Sequence, residues 1–246
     1  IRLSDTKIRF GTKSDPYRCV LHFDEAEIID CDKEISGRVE IPSEFDGYKV
    51  GCIGKEAFCN CRNIESLVIP HSVKRIDDNA FSGCEKLIKV TVLYGTEEIG
   101  NEAFSGCENL MSIDLPESIK QIGRGAFEGC SALTMVSLPS GISNIRRNLF
   151  RDCRNLTRVD IPNGVRCIDD AAFFGCGNLV RADIPDSVDM IEQSAFERCS
   201  SLREIIVPDS VRSLGGWAFS GCEQADISIS ASLAEKVFSA SDGFDL

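Results

Sequence analysis

The chain has 246 residues, 43% apolar and 27% charged, a balance that excludes a largely disordered segment. Its 27 basic and 39 acidic residues leave a net charge of −12, the wrong sign for a generalised phosphate-backbone binder, and no apolar run reaches the length a bilayer demands. Thirteen cysteines against two histidines are the anomaly, because a chain this long does not need the disulfide staples of a mini-protein.

Residues 1–35 carry no internal repeat. Lys7-Ile8-Arg9-Phe10 and Cys19-Val20-Leu21-His22-Phe23 alternate as strands do, which predicts a small β-rich N-terminal cap. Gly37-Arg38-Val39-Glu40-Ile41-Pro42 then opens a first, irregular unit. Its Pro42-to-Phe58 interval is 16 residues, whereas Pro70 to Phe81 is 11, and the extra Glu44-Phe45-Asp46-Gly47-Tyr48 reads as a turn.

From there one arithmetic series governs the chain. Cys61, Cys84, Cys107, Cys130, Cys153, Cys176, Cys199 and Cys222 follow a constant step of 23. Three residues before each stands Phe58, Phe81, Phe104, Phe127, Phe150, Phe173, Phe196 or Phe219, preceded by alanine in every unit except at Leu149. A fixed period of this length marks a solenoid. Leu156, Val159 and Ile161 read as a short strand with inward side chains, ended by Pro162, which has no N–H to donate. Val165 and Ile168 mark a return leg, and Ala172-Phe173-x-x-Cys176 a tight turn of 3₁₀ or α type. One such coil cannot bury its own apolar face, so stacked coils must share a core.

After Cys222 the register breaks: Ala225 stands where leucine is due, and Ile227 and Ile229 come one residue early. Ser232-Leu233-Ala234-Glu235 matches a capping box, and Leu233, Val237 and Phe238 would form the apolar face of a short closing helix. The expected organisation is a single domain over 1–246, with the N-terminal cap at 1–35, repeats at 36–229, and a cap helix and tail at 230–246.

The unit, with Ile-Pro-x-Ser-Val, Ile-x-x-x-Ala-Phe and a following cysteine, resembles the BspA-type (Treponema pallidum-type) leucine-rich repeats over residues 36 to 239. The resemblance implies a right-handed leucine-rich-repeat solenoid with a parallel β-sheet on one side and short turns, helical segments or strands on the other. It also implies a microbial surface or secreted protein with a role in adhesion and binding of host protein. It carries no catalytic residues.

The ladder cysteines are read as packed free thiols, since cysteine behaves as a small apolar residue; disulfides between coils or metal binding are the alternatives. Off the ladder lie Cys19, Cys31, Cys52, Cys59 and Cys167. Cys19 with Cys31 is a candidate staple of the cap in an extracellular setting. The spacing of Cys52, Cys59 and Cys61 fits no zinc pattern, and no metal or cofactor is expected. His22 and His71 have no local catalytic signature, and no phosphate loop, HExxH helix or GxSxG elbow occurs, so no enzyme is expected.

What remains is surface recognition of a protein partner by a monomer capped at both ends. Outward strand positions before the inward Val include Lys89, Ser112, Met135, Arg158, Arg181 and Glu204. Those after it include Thr91, Asp114, Asp160, Asp183 and Ile206. Arg158 with Asp160, and Arg181 with Asp183, repeat one pair on adjacent coils, either as a binding stripe or as a solvated, ion-paired face. The coil from Pro139 to Ile161 gathers Arg146, Arg147, Arg151, Arg154 and Arg158, either a basic patch for an acidic ligand or a balance to acidic neighbours such as Asp169, Asp170 and Glu128. The expected function is a secreted or cell-surface adhesin-like module; the alternative is an intracellular scaffold in the cytoplasm.

Overall fold

The structure, a computed structural model, describes residues 7–10, 16–231 and 233–234. Each coil lays down one front strand where apolar and polar residues alternate. Val159 is buried while Arg158 and Asp160 beside it face solvent. The front strands run Ser36–Glu40, Asn63–Ile69, Lys89–Val92 and Ser112–Asp114, then Met135–Ser137, Arg158–Asp160, Arg181–Asp183, Glu204–Ile206 and Asp226–Ser228. They pair in parallel at the repeat step, as in Val136 with Val159 and Val159 with Ala182, so that equivalent residues form columns. The result is a β-solenoid of nine front strands.

The return leg makes a second parallel ladder. Tyr48–Ile53, Arg75–Ile76, Glu98–Ile99 and Gln121–Ile122 form one run, and Asn144–Ile145, Cys167–Ile168, Met190–Ile191 and Ser213–Leu214 another. Both faces lose their strand pairing at one place, between the Phe127 and Phe150 coils. The turn edge stays continuous there, with Phe127 N–H donating to Leu149 O at 3.1 Å.

The turn edge differs from the expected 3₁₀ or α-helical turn. Its N–H groups alternate in direction. Ala57, Cys59 and Cys61 donate within their own coil, to Gly54, Glu56 and Phe58, whereas Glu56, Phe58 and Asn60 donate to Asp78, Ala80 and Ser82 of the next coil. A helix would turn every donor inward on its own segment; this edge divides them and so becomes a third inter-coil ladder. The alternation requires left-handed backbone on both sides of Ala-Phe, as at Glu56 (φ 59°) and Asn60 (φ 60°). At the second of these sites Gly83, Gly106, Gly129, Gly175 and Gly221 supply the conformation at little steric cost, but Arg198 (φ 61°) does not.

Inside the coils the phenylalanines stack, with neighbouring ring centroids 4.9 to 5.9 Å apart and planes inclined by 6 to 20°. Leu149, in the alanine slot, is fully buried. One contiguous apolar core runs from Tyr17 to Leu233.

Three strands form the N-terminal cap. Lys7–Phe10 and Tyr17–Leu21 pair antiparallel as the alternation predicts, although Phe23 falls beyond the strand and is exposed. A third strand, Glu25–Cys31, joins the cap to the solenoid by pairing in parallel with Tyr48–Ile53. Tyr17 also extends the aromatic column, 5.9 Å from the Phe58 ring. The extra residues of the first unit form a hairpin, Glu44–Phe45 against Tyr48–Ile53, whose Asp46-Gly47 corner has positive φ at both residues. At the other end, Leu233 N–H donates to Ser230 Oγ at 3.2 Å and Ala234 N–H to Ser230 O at 2.9 Å. The capping box expected at Ser232 and Glu235, and the helix face at Val237 and Phe238, lie outside the described residues.

Candidate interaction surface

The parallel register brings the outward positions together in two columns on the front face. Lys89 stands beside Ser112, and Met135 beside Arg158, Arg181 and Glu204 in succession. In the second column Thr91 stands beside Asp114, Asp160 beside Asp183, and Ile206 beside Ser228. All eleven predicted surface residues therefore share one face.

The two columns are cross-linked by charge. Arg158 Nε donates to Asp160 Oδ1 at 2.8 Å and Arg181 Nε to Asp183 Oδ1 at 2.7 Å, each pair within one strand. Arg158 also reaches Asp183 on the next coil at 3.7 Å. Lys89 lies 3.3 Å from Asp114, which also accepts the Thr91 hydroxyl at 3.3 Å. The hydrogen-bonded Asp183 carboxylate raises the Arg181 guanidinium above its ordinary pKa. Such solvent-exposed pairs contribute little stability, and their chief effect is to fix side-chain direction. Between them Met135 is 64% and Ile206 61% exposed. Arg181, Asp183, Glu204 and Ile206 border a shallow depression of about 220 Å³.

The five arginines of the Phe150 coil do not form one basic patch but balance acidic neighbours, because successive residues of a coil point to different sides of it. Arg158 is on the front. Arg151 lies over the Phe174 ring at 4.4 Å and 3.7 Å from Glu128 on the turn edge, and Arg154 is 3.8 Å from Asp152. Arg146 and Arg147 line a separate hollow of about 460 Å³ with Arg124, facing Asp169, Asp170 and Glu192.

The ladder cysteines have a role that spacing alone does not reveal. Each Sγ from Cys84 to Cys222 donates to the carbonyl of the phenylalanine one coil back, at 3.1 to 3.3 Å. Cys84 to Phe58 O and Cys107 to Phe81 O show the offset of 26 residues. That carbonyl also accepts its own coil's cysteine N–H, so one oxygen holds two coils together. Burial pushes the Cys130 thiol up to about 12, well above the ordinary range, and raises Cys153 and Cys176 likewise.

Off the ladder, Cys19 and Cys31 do not face one another as expected for a staple. Cys19 pairs across the cap with Arg9 and Ile28, and Cys31 with Tyr17. The Cys31 sulfur instead stands 3.1 Å from Cys61. Glu27, Cys52 and Asp77 bring their ligand atoms within 4.8 Å of one another, a cluster absent from the sequence pattern. Arg75 already pairs with part of it, 3.6 Å from Cys52 Sγ and 3.0 Å from Asp77. Burial and the neighbouring carboxylates push Cys52 up to about 12. His22 lies beside Glu27 at 3.2 Å, while His71 is exposed on a connection.

No helix of the described residues is long and apolar enough to cross a membrane. No curated protein matches the sequence. Among solved structures, the T. pallidum leucine-rich repeat protein is 29% identical with a TM-score of 0.69, covering 94% of this chain and 95% of its own. A leucine-rich cell surface protein from Faecalibacterium prausnitzii shares the fold at 23% identity and a TM-score of 0.55, covering 91% of this chain and 88% of its own. A leucine-rich repeat protein from Eubacterium ventriosum does so at 20% and 0.50, covering 79% and 65%. The family profile for the BspA type leucine rich repeat region matches residues 51–180 and 136–243 in six copies. With the 23-residue unit, the stacked phenylalanines and this match in agreement, the chain belongs to the BspA-type leucine-rich-repeat family.

Proposed function

We propose that the chain is a non-enzymatic recognition module, secreted or held at a microbial cell surface, that binds a host or neighbouring-cell protein through its front face. The observation that carries this reading is the composition of that face: charge pairs locked in register with Met135 and Ile206 exposed among them. Oriented charges select and align a partner, and the apolar side chains gain when a partner removes their water. Membership of a repeat family supports a binding role, since a solenoid offers an extended surface. The description of the F. prausnitzii neighbour as a cell surface protein supports display. The second reading, an intracellular scaffold, draws on the ladder thiols, which act as hydrogen-bond donors and so are used in their reduced form.

The test is capture from solubilised extracellular matrix and cell-surface protein. Wild type is compared with Arg158→Ala/Arg181→Ala and with Met135→Ser/Ile206→Ser. Each double variant is expected to bind its partner about 10-fold more weakly or worse, while unfolding at the wild-type temperature. Equal capture by all three proteins would remove the front face from contention. Labelling of intact source cells with a membrane-impermeant reagent separates display from the scaffold reading.

A further inference from the structure

Seven of the eight ladder thiols donate to a phenylalanine carbonyl one coil back. Cys61 opens the ladder, and the repeat supplies no phenylalanine before Phe58 to receive its proton. The place is taken by Cys31, the last residue of the third cap strand, whose sulfur lies 3.1 Å from that of Cys61. Both residues are buried, at 5% and 0% exposure, and thirty positions apart in sequence. Lys33 lies at the same junction, 3.4 Å from Asp30 and donating to Ala57 O at 3.4 Å. We infer that Cys31 and Cys61 are a disulfide-forming pair that bolts the N-terminal cap to the first coil when the chain folds under oxidising conditions.

The geometry favours this pair for two reasons. The sulfurs already lie inside van der Waals contact, 3.1 Å apart, so bond formation requires only a small further approach of the two sulfurs. The pair is also electrostatically prepared: donation from Cys31 and the Lys33 ammonium lower the Cys61 thiol below its ordinary range, which favours the reactive thiolate. In the middle of the ladder Cys130, Cys153 and Cys176 lie in the opposite environment, with thiols raised by burial and engaged to carbonyls. The oxidant is a low-molecular-weight disulfide. One cysteine thiolate attacks it, forming a mixed disulfide and releasing one small thiol; the second thiolate attacks the mixed disulfide and releases the other. The two protons leave with the two small thiols, and the protein loses two electrons to the reagent.

The experiment folds the full chain in oxidised and reduced glutathione, denatures it, alkylates it and maps the peptides without reduction. The expected result is eleven alkylated thiols, thirteen less two, with one cross-linked peptide pair joining Cys31 to Cys61. Reduction should restore thirteen. Cys19→Ser should keep the link, whereas Cys61→Ser should give twelve thiols with and without oxidant. Amide exchange through Tyr17–Leu21 should slow roughly 100-fold on oxidation, because the bond removes the freedom of the detached cap. Thirteen reactive thiols after oxidation would overturn the inference, leaving the contact as a thiol–thiol hydrogen bond. A link between Cys19 and Cys31, or between two ladder cysteines, would overturn it equally.

Discussion

At the scale of single residues, the solenoid depends on positions where backbone conformation, more than side-chain chemistry, decides what fits. The residue before each ladder cysteine sits in the left-handed region, and most coils place glycine, asparagine or aspartate there. Arg198 breaks the rule at φ 61°. Its guanidinium lies 5.3 Å from the Phe174 ring, a contact made largely in solvent that recovers little of the strain. Arg198→Gly is therefore expected to stabilise the protein by about 1 kcal/mol, seen as a higher urea midpoint at unchanged slope. A lower midpoint would show that the stacked guanidinium outweighs the backbone. Buried polar atoms follow the same economy: the Thr96 hydroxyl occupies an apolar slot but donates to Val73 O at 2.9 Å.

At the scale of the element, the cysteine column is a line of protonated thiols donating to carbonyls, and it should make the fold sensitive to base. Folded-state thiols such as Cys130, held up to about 12, stay protonated where the same thiol in the unfolded chain ionises above about pH 8.5. The unfolded chain then binds fewer protons, so stability is intact at neutral pH and falls as pH rises from about 8.5 towards about 12. Each thiol of this kind contributes about 1.4 kcal/mol per pH unit within that window. Urea midpoints between about pH 7 and about pH 10 should drop accordingly, and Cys130→Ala should flatten the slope by one thiol's share; a pH-independent midpoint would sink this account. The column itself was legible in the sequence because a step of 23 links eight cysteines, and so were the inward Leu, Val and Ile. The turn edge was not legible. Ala-Phe-x-x-Cys suits a helical turn as well as the observed edge, and only the neighbouring coil decides where the N–H of Phe58 goes. The strand Glu25–Cys31 was not legible because it lies outside the repeat, although buried Ala26 and Ile28 alternate along it.

At the scale of the whole molecule, stacking turns sequence positions into sides. Eleven outward residues drawn from six coils converge on the front because their register is shared, which made this face legible from the period alone. Five arginines drawn from a single coil disperse around its circumference, which composition could not reveal. The net charge of −12 is thus distributed by coil geometry, and the front face keeps its own local pairing. The most direct test of front-face recognition places a photo-crosslinking amino acid at Met135, exposed on the front, or at Gln121, exposed on the return ladder. The account predicts that, after illumination of the protein with its captured partner, the Met135 probe joins the two chains and the Gln121 probe does not. Cross-links from Gln121 with none from Met135 would contradict it.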